Sequence, residues 1–301
     1  MTPSDQFLTH TVENQPDALR GYNAWTSDPA LREALAKEGA AWAGAHLQEY
    51  GALVGGELVE LGFAANRHRP QFHPFDAYGR RIDAVEFHPA YHRIMQLAMH
   101  YGMHSYAWRN AHRESAHVAR AAVIYLGSQA DAGTACPMSM TYAAIPALRH
   151  AGDWAGAWID KLTATDYDPG ARPMSDKTAC TIGMGMTEKQ GGSDVRANTT
   201  RAQRQADGSY ALIGHKWFFS APMCDAHLVL AQAQAGLSCF LVPRILPDGA
   251  RNAVEIQRLK DKLGDWSNAS AEVEFQGAQA LLVGEEGRGV PTILEMVALT
   301  R

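Results

Sequence analysis

The sequence contains no long apolar run. No stretch approaches the roughly 18 apolar residues that a membrane-spanning helix needs. The N-terminus, residues 1–16, is polar and has no apolar segment of the kind that a secretory signal peptide carries. We therefore expect a soluble, cytoplasmic protein without a membrane partner.

Clusters of positive charge are also absent. The chain has 27 basic and 32 acidic side chains, which give a net charge of −5. Residues 1–175 contain 14 basic and 18 acidic side chains, and residues 176–301 contain 13 and 14. A DNA-binding surface needs clustered lysine and arginine to neutralise phosphates. We expect no such surface within these residues.

Cysteine is rare, with four residues in the chain. None forms a C-x-x-C pair and no spacing fits a zinc site, so we expect reduced, mostly buried thiols. Two pairs among the 13 histidines have the i, i+4 spacing of metal ligands on a helix, but neither has an acidic or cysteine partner at zinc-like spacing. We therefore predict no metal site. The pairs are His88/His92 and His100/His104.

Residues 28 to about 162 have a helical pattern. Asp28 followed by Pro29 is typical of a helix start, and His88-Pro89 marks another. Apolar residues recur at helical spacing between Glu114 and Ala130. We predict a helical N-terminal domain over residues 1–175, of which residues 1–27 are a lead segment.

The period changes to two after a connection rich in Asp, Pro and Gly. Asp207-Gly208 lies between two strand-like segments and predicts a hairpin. A glycine-rich loop at residues 284–289 then precedes an apolar helix start. Helices followed by a block of strands predict an α+β fold. Further strands are predicted at residues 227–232, 237–242, 254–259 and 271–275.

The segment IGMGMTEKQGGSD, residues 182–194, carries the strongest indication of a binding site. Its four glycines let the backbone approach a ligand, and successive N–H groups in such a loop can bind an anion. Thr187 and Ser193 add hydroxyl donors, while Met184 and Met186 add apolar surface. These groups suit a ligand with a flat ring and a phosphate. A glycine-rich turn without any ligand is the alternative.

A second segment, residues 214–221, contains three consecutive aromatic residues. Because side chains alternate along a strand, at least one of the three must face away from its neighbours. A packed core accounts for part of this pattern, and a flat cofactor at the edge of the sheet would account for the rest. The three residues are Trp217, Phe218 and Phe219.

Together these segments resemble the acyl-CoA dehydrogenase family. Its T-E-x-x-x-G-S-D loop is similar to Thr187–Asp194, and its later tryptophan-containing strand is similar to Gly214–Ser220. Elements similar to those of the family also occur at residues 260–275 and 284–289. Lys189-Gln190 and Asn198–Arg201 resemble the AidB-like branch, which is associated with the bacterial response to DNA alkylation.

The resemblance implies a fold and a cofactor. It implies a helical N-terminal domain, an antiparallel β-barrel-like middle domain over residues 176–285, and the first turns of a third, helical domain over residues 286–301. It also implies FAD, with Thr187 at the isoalloxazine ring, Ser193 at the pyrophosphate and Trp217 packed against the ring. The implied cofactor-binding residues are Met184, Gly185, Met186, Thr187, Gly191, Gly192, Ser193, Trp217, Phe218, Phe219 and Ser220.

The sequence departs from the family at two points. Phe219 stands where the family commonly has a threonine near the flavin N5, and the adjacent Ser220 could replace it. The family's glutamate base lies in the C-terminal helical domain or just before an active-site arginine. Thr300 occupies the latter position and Arg301 matches the arginine, which is expected to line the substrate site. No catalytic residue is therefore assigned, and Glu188 is expected to be structural.

The implied function is α,β-dehydrogenation of an acyl-CoA thioester with hydride transfer to FAD. We expect this form, which lacks the third domain, to be inactive, and a homotetramer to form only in a longer parent chain. One alternative is a DNA-associated alkylation-response protein with a mainly structural flavin, whose DNA contacts lie outside these residues. Another is a catalytically inactive two-domain protein that acts by association.

Overall fold

Helices fill most of the first half of the chain in the computed structural model, which describes Phe7 and residues 9–300. A last helix ends the described part. The helices are α1 (Pro29–Lys37), α2 (Gly44–Leu53), α3 (Val59–Arg67), α4 (Pro89–His100), α5 (Tyr106–Arg109), α6 (Ala116–Ala130), α7 (Ala135–Leu148), α8 (Ala155–Thr163) and α9 (Gly289–Thr300).

The helix starts that the sequence predicts are confirmed. The Asp28 carboxylate accepts a hydrogen bond from the Leu31 amide at 2.9 Å, one of the amides that have no partner within α1. The His88 ring accepts from the Ala90 amide at 3.1 Å in the same way at the start of α4. Proline follows the cap in both helices, at a position that needs no amide hydrogen.

The strands include a hairpin that the sequence pattern does not predict. β1 and β2 pair antiparallel within the helical part, and the Arg81 guanidinium donates to the Ile256 carbonyl at 2.8 Å. The hairpin therefore reaches across to the strands of the second half. The strands are β1 (Gln71–Phe75), β2 (Arg81–Glu86), β3 (Ile182–Gly185), β4 (Arg201–Arg204), β5 (Tyr210–Ser220), β6 (Ala226–Ala233), β7 (Gly236–Pro243), β8 (Val254–Leu259) and β9 (Ser270–Val283).

The seven later strands form one sheet that closes on itself. Five of them form a ring in the order β6-β4-β5-β9-β7, since β7 pairs again with β6. β3 joins the ring through β6, and β8 joins it through β9. Most pairs are antiparallel, but β3–β6 and β4–β6 are parallel. The predicted α+β class with a barrel-like middle domain is confirmed, as is the hairpin at Asp207-Gly208.

The helical part and the barrel share buried apolar residues. One core cluster joins Met140 of α7, Ile182 of β3 and Met296 of α9 with residues of β6 and β7. This packing brings the start of α7 and the end of β3 close together. The predicted domain limits stay predictions: the one at residue 285 falls between β9 and α9, and the one at residue 175 falls within a short 3-10 helix, Met174–Asp176. Within residues 9–300, no helix is long and apolar enough to cross a membrane.

Candidate functional site

The alternation of glycine and methionine in β3 follows from its position. A Cβ atom on Gly183 would lie 2.4 Å from the His227 ring, and one on Gly185 would lie 2.9 Å from the Phe219 ring. Because a real Cβ atom does not approach other atoms so closely, only glycine fits at these inward positions. Met184 lies between the two glycines and Met186 follows the second one, and both methionines face a cavity.

This cavity, called here the strand-end cavity, has a volume of ≈ 480 Å³. It lies among the ends of β3 and β5, the start of α7 and the end of α9. Five of the predicted cofactor-binding residues line it. The lining residues are Ala132, Ala135, Cys136, Ser139, Met140, Met184, Met186, Thr187, Phe218, Ser220 and Thr300.

The two segments singled out from the sequence are in direct contact. The Trp217 amide donates to the Thr187 carbonyl at 2.8 Å. A Cβ atom added to Gly192 would lie 2.6 Å from the Thr187 hydroxyl, so Gly192 lies against that side chain. Gly191 adopts a φ of 120°, which favours glycine. Ser193 is exposed beside this loop and does not line the cavity.

A buried ion pair fixes the loop that follows β3. The Lys216 ammonium lies 2.7 Å from the Glu188 carboxylate, and both side chains have no exposed area. Glu188 also accepts from the amides of Thr199 and Thr200 at 2.7 and 3.1 Å. Burial acts to raise the pKa of Glu188, but Lys216 and these hydrogen bonds lower it to about 2. The carboxylate stays ionised at neutral pH, and its contacts are structural.

A β-bulge separates the three consecutive aromatic side chains of β5. The register with β9 shifts between Lys216 and Phe219, so Trp217 and Phe218 together oppose one residue. Phe218 is 51% exposed and lines the strand-end cavity. Trp217 is half-buried, and the Lys260 ammonium lies 3.2 Å from its ring centroid.

Phe219 points in the opposite direction. It is 3% exposed and stacks on the His227 ring with 3.7 Å between centroids. It fills the space that Gly185 leaves free, and its side chain does not line the strand-end cavity. The predicted contact between Phe219 and the cofactor stays a prediction. Ser220 does face this cavity and lies 3.1 Å from the Ser270 hydroxyl.

The sequence reasoning did not identify the residues that α7 contributes. Cys136, Ser139 and Met140 form one wall of the cavity. Burial raises the pKa of the Cys136 thiol, which is therefore protonated at neutral pH. No motif marks these residues, because only tertiary packing brings α7 to β3. The apolar composition of α7, which is buried on most sides, was the available signal, and it indicates a buried helix without indicating what the helix faces.

Acidic side chains are missing from the strand-end cavity. None of the described residues that line it is a carboxylate, and Thr300 occupies the end of the wall formed by α9. Arg301, the predicted substrate contact, lies outside the described residues. Within residues 9–300, no group of three or more His, Cys, Asp or Glu side chains could hold a metal ion.

Two family models match the chain. Residues 14–169 match the adaptive response protein AidB N-terminal domain, and residues 183–278 match the acyl-CoA dehydrogenase middle domain.

Curated relatives resemble almost the whole chain. The chain is 52% identical over 295 residues to the putative acyl-CoA dehydrogenase AidB of Escherichia coli (strain K12), covering 97% of this chain and 54% of that protein. It is 31% identical to acyl-CoA dehydrogenase family member 11 of Caenorhabditis elegans, covering 93% of this chain and 47% of that protein. The chain thus spans about half the length of these relatives.

A solved structure agrees with the fold. The structure of Caenorhabditis elegans ACDH-11 in complex with C11-CoA superposes with a TM-score of 0.84 at 29% sequence identity. The match covers 100% of this chain and 53% of that one.

Proposed function

The chain belongs to the AidB-type acyl-CoA dehydrogenase family, and we propose that it is the flavin-binding part of an FAD-dependent oxidoreductase that acts on acyl-CoA thioesters. The observation that carries the proposal is the strand-end cavity. Residues from two separate sequence segments and from α7 converge there on one space of ≈ 480 Å³. Its volume is in the usual range for small-molecule sites, about 300–1,000 Å³.

The residues around this cavity fit FAD. Met184, Met186 and Phe218 offer an apolar wall for a flat ring, and the Thr187 and Ser220 hydroxyls could donate hydrogen bonds to its polar edge. When bound, FAD would supply the acceptor for the hydride that leaves the substrate. The chain's own contribution is to bind and orient the ring.

The loop after β3 supports the phosphate end of the same ligand. Gly191 and Gly192 let the backbone come close, and the exposed Ser193 hydroxyl is free to approach a pyrophosphate. Glu188 and Lys216 hold this loop to β5 from beneath. Trp217 would pack against the ring, steadied by Lys260. Gly185 and Phe219 would act indirectly, by letting β3 lie close to the barrel.

Removal of the substrate α-proton needs a base that the described wall does not offer. Thr300 cannot accept a proton at neutral pH, and Glu188 is buried and paired with Lys216. We therefore expect residues 1–301 alone to bind FAD but not to dehydrogenate an acyl-CoA. An acyl-CoA partner is supported by the ACDH-11 complex with C11-CoA. A homotetramer in a longer parent chain belongs to the same proposal.

Titration with FAD tests the proposal. We expect added FAD to bind, with shifted absorption bands and changed flavin fluorescence. Thr187→Val and Ser193→Ala should each weaken binding about 3- to 10-fold, since each removes a hydrogen bond worth about 0.5–1.5 kcal/mol. Thr178→Val, at an exposed threonine outside the cavity, is the matched control. A folded protein that does not bind FAD would contradict the proposal.

A second candidate is a DNA-associated alkylation-response protein in which flavin is mainly structural. The match of residues 14–169 to the adaptive response protein AidB N-terminal domain favours it. With a net charge of −5, residues 1–301 should show no salt-dependent affinity for duplex DNA. Electrophoretic mobility shifts at low and high salt test this expectation, and salt-sensitive binding by residues 1–301 would assign the DNA surface to this part.

A further inference from the structure

A second cavity, called here the hairpin cavity, lies between the β1–β2 hairpin and the barrel. Its volume is ≈ 480 Å³, and it has no lining residue in common with the strand-end cavity. Apolar side chains form most of its wall, among them Ile82, Val85, Val242 and Ile256. Its size suits a small molecule, and its wall suits an apolar chain.

Two polar side chains of the hairpin cavity have buried atoms without a hydrogen-bond partner among the described residues. They are Oδ1 of Asp83 and Nε of Arg244. Asp83 is 4% exposed, and its other oxygen already accepts from Arg81 and Arg251 at 3.0 Å each. Buried polar atoms in native proteins nearly always have a partner. Two such atoms in one cavity indicate that a bound molecule supplies the missing hydrogen-bond partners.

The charged side chains at the hairpin cavity differ in their pairing. Arg81 and Arg251 compensate Asp83, whereas Arg244 forms no ion pair with any carboxylate of the described residues. Its side chain makes one contact, from Nη1 to the Met223 sulfur at 3.9 Å, and a thioether is a weak acceptor. Arg244 lies within electrostatic range of the buried Asp225 and acts to lower its pKa, but its Nε has no acceptor among the described residues and lies at the wall of a largely apolar space.

We propose that the hairpin cavity binds a small amphipathic carboxylate. The carboxylate accepts a hydrogen bond from Nε of Arg244, and the apolar chain lies against Val85, Val242 and Ile256. Charge-assisted hydrogen bonds between arginine and carboxylate are among the stronger ones in proteins, and removing the chain from water adds to the affinity. Water or a hydroxyl of the ligand donates to Oδ1 of Asp83. The site does not depend on flavin binding.

Calorimetric titration with octanoate and with octanol tests this site. Octanoate should bind with one saturable site, and octanol should bind about tenfold more weakly or not at all, because it carries no charge. Arg244→Met should weaken octanoate binding by a similar factor. Arg204→Met, at an exposed arginine of β4 that does not line the cavity, should leave it unchanged.

Two further variants locate the bound chain. Val254→Trp fills the hairpin cavity and should abolish octanoate binding, whereas Ser139→Trp narrows only the strand-end cavity and should leave it intact. Equal affinity for octanol and octanoate overturns the proposal. So does binding that survives Val254→Trp but is lost in Ser139→Trp. If Arg244→Met does not fold, as judged by circular dichroism, the comparison of these two tryptophan variants decides.

Discussion

Two buried ion pairs flank β3, and they differ in which partner receives more of the additional hydrogen bonds. In the pair after β3, the acid receives the extra hydrogen bonds, since the amides of Thr199 and Thr200 both donate to Glu188. In the pair before β3, Lys177 lies 2.6 Å from Asp225 and also donates to the carbonyls of Asp168 and Gly170 at 2.6 and 2.9 Å. There it is the lysine that is surrounded by partners.

The pKa values follow this difference. Lys216 and the hydrogen bonds to Glu188 outweigh its burial and lower its pKa. Burial dominates at Asp225 and raises its pKa, although Lys177 opposes the change. Glu188 accepts from two backbone amides and Asp225 from one, that of Thr181, so hydrogen bonds offset the effect of burial on the pKa less at Asp225. The loop expected to hold the cofactor is fixed by Glu188, the acid that stays ionised more easily.

The largest effect is expected for Lys216→Met. Breaking a buried pair leaves an uncompensated charge, and such variants lose about 3–5 kcal/mol of stability. Urea unfolding measures the loss. The double variant Glu188→Gln, Lys216→Met should recover part of it, because no charge is then buried alone. A loss below about 1 kcal/mol would contradict the importance of this pair.

The next effect is a difference in pH dependence. The pKa of Glu188 is about 2 in the folded state, and the pKa of a glutamate in the unfolded chain is about 4.3. Its contribution to stability is therefore present above about pH 4.3 and is lost as the pH falls towards 2. It amounts to about 3 kcal/mol at most, because one pKa unit corresponds to about 1.4 kcal/mol.

Asp225 should act with the opposite sign. Its pKa is raised on folding, so its effect on stability is most favourable at low pH and declines as the pH rises through the folded-state pKa. Unfolding free energies of Glu188→Gln and Asp225→Asn, measured from pH 2 to 7, would separate the two. Identical slopes in both variants would show that the pairs do not differ in this way.

At neutral pH, Asp225→Asn should cost less than Lys216→Met. Lys177 keeps two carbonyl partners when the charge of Asp225 is removed, and the asparagine can still accept from the Thr181 amide. We expect a loss of about 1–3 kcal/mol in urea unfolding. A loss as large as that of Lys216→Met would mean that the carbonyls do not compensate Lys177.

The smallest change is expected for Thr199→Val. It removes one hydroxyl hydrogen bond to Glu188, of 3.0 Å, and leaves the backbone amide of Thr199 in place. The expected loss of stability is about 0.5–1.5 kcal/mol. Thr178→Val, at another exposed threonine, serves as the control in the same urea titration. Equal losses of unfolding free energy in the two variants would show that the Thr199 hydroxyl does not stabilise this pair.

Local chemistry explains what the sequence could predict. The caps at Asp28 and His88 and the turn at Asp207-Gly208 each depend on a few neighbouring residues. The loop at Thr187 and the strand at Trp217 were recognisable because their residue types and spacing resemble those of a family. The structure places the two segments in direct contact, and their role in binding a cofactor stays a prediction.

Long-range packing explains what the sequence could not predict. The wall formed by Cys136 and Ser139 exists because α7 packs on β3, and 33 residues of chain separate these two elements. The β1–β2 hairpin is short, and its contacts to the barrel, such as Arg81 to Ile256, leave no local pattern. The bulge that puts Phe219 on a different face from Trp217 depends on the register with β9, which no single strand encodes.

The closed ring of strands has a consequence for amide hydrogen exchange. A central residue of β9, such as Val273, lies between the ladders to β5 and β8, so its amide becomes accessible only when much of the sheet opens. β3 is held by one ladder, to β6, and β4 meets β6 at the single pair Arg201–Gln232. Exchange should therefore begin at this seam and in β3 while β9 is still protected, so the strand leading into the glycine-rich loop can loosen without unfolding the barrel.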